Sequence, residues 1–135
     1  MKRGFTLIEL VLVLGIMGLL VSAVGLNFKA VSAYQHRTET RALARRIRTA
    51  RSTAVATRST VSVSFREDGY TVQGQGPYRL PQGMHLTSNV SEDLQFNKYG
   101  IPSIEGKART LTITYQGQSI VITIAPVTGK VTTKL

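Results

Sequence analysis

Glu9 is the residue whose surroundings ask most of its chemistry. It stands in Phe5-Thr6-Leu7-Ile8-Glu9-Leu10, and no formal charge follows it until Lys29. As a helix the run from Leu10 to Phe28 would extend about 28 Å, close to the hydrocarbon thickness of a bilayer. A carboxylate near the end of such a helix costs about 2–3 kcal/mol on insertion scales, so it calls for a partner that offsets the cost. The second chemically distinctive set is a row of arginines, Arg37, Arg41, Arg45 and Arg48, with Arg51 at its edge. Guanidinium groups spaced along one side of a helix could hold polyanion phosphates, anionic lipid headgroups near a membrane exit, or acidic residues of a neighbouring subunit. No aromatic residue is interleaved among the arginines between Arg37 and Arg58 to stack a base, which argues against a built nucleic-acid surface.

Other reactive types are sparse. The chain has no cysteine, so disulfides, thiolate metal sites and a cysteine nucleophile are excluded. His36 falls on the helical stretch near its apolar face and His85 in an apolar run, which suits packed or surface residues better than ligands. Glu67-Asp68 and Glu92-Asp93 are adjacent pairs in turns with no third oxygen-rich partner, a poor calcium loop. Gly74-Gln75-Gly76 leads into a proline rather than a helix, so it is no phosphate loop, and no Gly-x-Ser-x-Gly elbow occurs. No catalytic constellation is found, and neither a metal nor a cofactor is expected. The protein reads as a non-enzyme.

The opening Lys2-Arg3-Gly4-Phe5-Thr6-Leu7-Ile8-Glu9-Leu10 resembles the class III leader of type IV prepilins and of the pseudopilins of type II secretion and competence systems. The resemblance implies that a prepilin peptidase removes a basic leader ending at Gly4. The new terminus, Phe5, would be methylated, and Glu9 would act in assembly by pairing with the N-terminal amine of a neighbouring subunit. An ordinary secretory signal cleaved near Val21-Ser22-Ala23, or a plain signal anchor, would leave Glu9 without a role. Lys29, Arg37, Arg41 and Arg45 follow the apolar run more densely than Lys2 and Arg3 precede it. Orientation is therefore taken from the resemblance: a single-pass protein of the inner membrane, its C-terminal domain outside the cytoplasm, associated with a filament after assembly.

Elements that must position these residues can be read from periodicity. Between Phe5 and Thr57 there is no proline, and Leu43, Ile47, Ala50 and Ala54 recur on one helix face. One long helix is expected, apolar in its first half and amphipathic in its second, with a kink or local melting near Gly15–Gly18. From Ser59 the period changes to two: Val61, Val63 and Phe65 alternate with small polar residues, turn at Glu67-Asp68-Gly69 and return through Tyr70–Val72. Gly74 to Gly83 reads as a loop broken by Pro77 and Pro81. Short runs follow at Met84–Thr87 and Leu94–Asn97, then a hairpin of Leu111–Tyr115 with Ile120–Ile124, and a last strand over Lys130–Thr133. The fold class is α+β, a long helix packed on a C-terminal antiparallel β domain. The expected division is leader 1–4, transmembrane helix 5–28, amphipathic helix 29–58 and β domain 59–135.

This order of elements is similar to that of H-type minor pseudopilins of type II secretion, of FimT-type minor pilins and of competence minor pseudopilins. The expected function is a structural H-type subunit of a type II secretion pseudopilus, or alternatively a minor pilin or competence pseudopilin that binds DNA during uptake. The FimT-type resemblance implies DNA contact through C-terminal basic residues, of which this chain offers Lys130 and Lys134. Expected partners are the prepilin peptidase, other pilins or pseudopilins and membrane lipid, with nucleic acid the less favoured. Net charge is +10, from 17 basic and 7 acidic residues. The excess lies toward the N-terminal half.

Overall fold

The computed structural model describes residues 6–25, 28–104 and 106–134, with side chains for 6–22 and from 34 onward. The expected leader 1–4 and Phe5 lie outside these residues. The chain divides into two units, residues 1–35 and 36–135.

In the first unit, α1 runs from Leu7 to Gly25 without interruption, so no local melting occurs at Gly15–Gly18. Neither glycine meets another group within 4 Å of where a Cβ would stand. Their cost to helicity is a propensity term of about 1 kcal/mol each, too small to break a long apolar helix. Apolar residues cover α1 all round and every described side chain is exposed. Among the described residues no helix is long and apolar enough to cross a membrane. The expected span 5–28 runs past the last described side chain of α1, Ser22, and in part lies outside the described residues.

A second helix, α2, spans Phe28–Thr57. It ends where Arg58 adopts a positive φ of 52°, with Ser59 N–H bonded to Ala54 O at 3.2 Å and Arg58 N–H to Val55 O at 3.4 Å. That pair of bonds is the Schellman closure, which satisfies carbonyls the helix would otherwise leave unpaired.

Within the second unit, α2 carries its apolar stripe onto two four-stranded antiparallel sheets. The strands are β1 (Val61–Arg66), β2 (Gly69–Val72), β3 (Pro77–Arg79), β4 (Met84–Ser88), β5 (Leu94–Phe96), β6 (Arg109–Tyr115), β7 (Gln118–Ile124) and β8 (Val131–Lys134). One sheet has the order β3-β2-β1-β5 and the other β4-β6-β7-β8. The segment read as a loop from Gly74 to Gly83 contains β3, whose proline is tolerated because the strand is an edge. The β6–β7 turn places Gln116 and Gly117 at φ 48° and 77°, the paired positive values of a two-residue hairpin loop. Leu43, Ala44, Ile47, Ala50 and Ala54 join Val63, Val72, Leu94 and Phe96 of the first sheet and Leu111, Ile113, Ile122 and Ile124 of the second in one core. The α+β class expected from the sequence is the class observed.

Candidate functional site: a capped helix start and a cationic hollow

Glu9 finds a partner inside its own helix. Thr6 donates to Glu9 Oε2 from its backbone N–H at 3.0 Å and from its hydroxyl at 2.9 Å, while Glu9 N–H lies 3.4 Å from Thr6 Oγ1. This reciprocal arrangement is a capping box, with Thr6 at the N-cap and Glu9 three residues on. The carboxylate also faces the positive end of the helix dipole. Glu9 therefore has one partner within its own chain. Thr6-x-x-Glu9 is itself a capping signature, legible in the sequence. Both of these bonds use Oε2.

The five arginines predicted as one row divide by what they touch. All five are exposed, and Arg37, Arg41 and Arg45 make no side-chain hydrogen bond to the sheets among the described residues. Arg48 instead reaches back to the sheet, its Nη2 donating to Val131 O at 3.0 Å, and Arg51 donates through Nε to Gly100 O at 3.0 Å. Two loops converge on Arg51. Gly100, at φ 73°, sits where a Cβ would come 2.9 Å from Val55 Cγ2, and at Gly129, at φ 63°, a Cβ would stand 2.8 Å from Gly100 O and 3.0 Å from Arg51 Nε. A side chain at either glycine would push the guanidinium off its carbonyl. The first loop is held by Asn97, whose Oδ1 accepts from Tyr99 N–H at 2.9 Å and Ile101 N–H at 3.0 Å.

The result is an open hollow between α2 and the approach to β8, lined by Arg48, Arg51, Ser52, Thr128, Gly129, Lys130 and Val131. The helix arginines and Lys130 were expected to be alternative basic surfaces. The fold brings Arg48 and Arg51 together with Lys130 and leaves Arg37, Arg41 and Arg45 outside the hollow. Lys134 lies elsewhere on β8, opposite Val121.

Two other arginines went unpredicted. Arg46 lies over the Tyr78 ring, its Cζ 3.6 Å from the centroid, and donates to the Tyr70 hydroxyl. Tyr70 and Tyr78 stack with centroids 5.3 Å apart. Burial raises the Tyr70 phenol above its ordinary pKa, although the Arg46 hydrogen bond and charge pull the other way. Arg109 is only 2% exposed. Its Nη2 donates to Val90 O at 3.0 Å and to Glu92 O, its Nε donates to Ser88 Oγ at 3.2 Å, and its Cζ lies 4.9 Å from the Phe65 centroid. Burial lowers its pKa while Asp93 and Glu92 act to raise it. Arg109 ties the 88–92 segment to β6, a structural duty. The signal was present: carrying the Leu111, Ile113 alternation back two residues lands on Arg109 as an inward position.

The histidines also serve the fold. His36 is buried with Nε2 3.0 Å from Ile113 O, and since a carbonyl only accepts, Nε2 carries the hydrogen. His85 Nδ1 lies 3.0 Å from Glu67 Oε1 in an exposed pair, an arrangement that contributes little to stability. Among the described residues no three His, Asp or Glu side chains group to hold a metal.

An N-terminal apolar helix that caps itself with a Thr-Glu box, followed by a helix laid on antiparallel sheets, defines a pilin-like architecture. The prokaryotic N-terminal methylation motif matches residues 1–25. Type IV minor pilin FimU of Pseudomonas aeruginosa (strain PAO1) superposes with a TM-score of 0.58 at 20% identity, covering 73% of this chain and 92% of that one. The minor pseudopilin EpsH from the type 2 secretion system of Vibrio cholerae gives the same TM-score at 14% identity, with coverage of 74% and 96%. No curated protein sequence matches the chain. The chain is pilin-like in its N-terminal motif and in its fold.

Proposed function

We propose that this chain is a minor structural subunit of a type IV pilus or a type II secretion pseudopilus, without catalytic activity. The observation that carries this reading is the coincidence, in one chain, of the methylation motif over residues 1–25 with the pilin-like α+β fold. The subunit is made with a leader cut after Gly4, methylated on Phe5 and stored in the inner membrane with its C-terminal domain outside the cytoplasm. On assembly α1 enters the filament core, where neighbouring helices cover the apolar surface it exposes. Glu9 caps its own helix through Oε2 and turns its second oxygen to the amine of a neighbouring Phe5. Pairing the two charges offsets the cost of burying either alone.

The finer reading is an H-type pseudopilin of type II secretion, supported by the EpsH-like fold; the FimU-like fold supports a type IV pilus subunit by the same measure. Mass spectrometry of the chain co-expressed with a prepilin peptidase tests the common part. The mature protein is expected to begin at methylated Phe5. A start after Ala23 would instead make residues 1–23 an ordinary secretory signal and remove the filament reading.

A further inference from the structure

The cationic hollow holds positive charge that the described fold leaves unneutralised. None of its lining residues is acidic, and the one ion pair among the described residues is His85 with Glu67, elsewhere in the unit. Arg48 and Arg51 each spend a single donor position on a backbone carbonyl. A guanidinium has five N–H donors, so most of each fork remains available while the carbonyl fixes its place. Preorganised forks lose less entropy on meeting an anion than free surface side chains do. The exposed row Arg37, Arg41, Arg45 shows no such fixing among its hydrogen bonds.

What surrounds the hollow bears on the kind of anion. Val55 abuts Gly100 beside Arg51 and is 46% exposed; Ile101, next along the chain, is 42% exposed; Val127, beside Thr128 of the lining, is 75% exposed. Exposed apolar side chains beside a charged centre suit a protein partner, which can cover them while its own charge meets the guanidinium groups. A phosphodiester backbone has no use for them. A second copy of this chain is an unsuitable occupant, since it would bring a further excess of basic over acidic residues to the contact.

We infer that the hollow of Arg48, Arg51 and Lys130, with its rim of Val55, Ile101 and Val127, docks an acidic segment flanked by apolar residues on a different subunit of the same filament. The inference rests on the filament reading above and adds the chemistry of the partner. One carboxylate enters between the forks of Arg48 and Arg51 with Lys130 closing the outer side, and the flanking apolar side chains cover the valines.

The full chain in neutral-detergent micelles, titrated with a labelled peptide of alternating glutamate and leucine, tests the chemistry by fluorescence anisotropy. The glutamine–leucine counterpart and a duplex DNA oligomer serve as competitors. Lys130 makes no side-chain bond within the described fold and Val127 is a turn residue, so neither substitution should disturb folding. Lys130→Glu is expected to weaken the glutamate peptide about tenfold and Val127→Asp about fivefold, whereas Arg41→Glu changes it less than about twofold. Equal losses for Lys130→Glu and Arg41→Glu would reduce the effect to overall charge and overturn the site. So would equal binding of the glutamine peptide, or tighter binding of DNA through Lys130. In cells with the assembly machinery, Glu9→Val and Lys130→Glu should both be processed yet enter filaments poorly. If Glu9→Val alone fails to enter, the filament reading stands and the docking surface falls. If both enter normally, the filament reading stands while the Glu9 pairing and the docking surface both fall; absence of the unaltered chain from filaments would overturn the filament reading itself.

Discussion

Leucines of residues 6–22 and those of residues 36–134 obey opposite rules. In α1 Leu7 is 82% exposed, Leu14 61% and Leu19 75%, with no face reserved for burial; in the second unit Leu43, Leu94 and Leu111 are fully buried. The second unit segregates its apolar residues onto one helix face and onto alternate strand positions, and so completes a core by itself. A helix apolar all round has no such solution within its own unit, so its apolar surface calls for cover from outside that unit. One part of the sequence therefore specifies a self-contained fold, and the other specifies an environment.

The comparison can be broken most directly in the core. Leu43→Ala should lower the stability of the folded protein by about 3 kcal/mol, read as a shift in the denaturant midpoint by circular dichroism in micelles. Leu14→Ala should leave that midpoint within about 0.5 kcal/mol, because it removes no contact of the second unit. Equal effects would mean that α1 contributes to the same cooperative core.

Buried charge gives a somewhat smaller effect. Arg109→Ala strips donors from Val90 O, Glu92 O and Ser88 Oγ, and a loss of about 2–3 kcal/mol is expected. Arg41→Ala should fall within about 0.5 kcal/mol, as for other surface positions. A near-neutral Arg109→Ala would mean that water replaces the guanidinium without strain, and the strut assignment would fail.

The smallest effect is a pH dependence at Tyr70. Its phenol is raised by burial, so the folded state favours the protonated form. That contribution is fully present below the unfolded tyrosine pKa of about 10, and it is lost as pH rises through the higher folded value. Tyr70→Phe should cost about 1 kcal/mol near neutrality through the lost Arg46 bond. The gap between wild type and Tyr70→Phe should then narrow above about pH 10, measured by denaturant titration at each pH. A gap that stays constant would mean that Tyr70 titrates as an exposed phenol.

The all-round apolar character of the first helix, the buried face Leu43, Ile47, Ala50 and Ala54, and the main hairpins were all determined by the sequence alone. Each rests on spacing between near neighbours, where the helical period of 3.6 or the strand period of two dictates which side chains share a face. The Thr6–Glu9 box belongs with them, since its partners are three residues apart. Tertiary structure alone decided the rest. Arg48 meets Val131 O across 83 positions of chain and Arg51 meets Gly100 O across 49. No local period encodes those separations. An arginine on a helix or at a strand start looks the same in sequence whether it faces water or a carbonyl. The distinction is set by where the loops at Gly100 and Gly129 close, and they close on Arg51 because each position lacks a side chain that would have occupied the guanidinium's place.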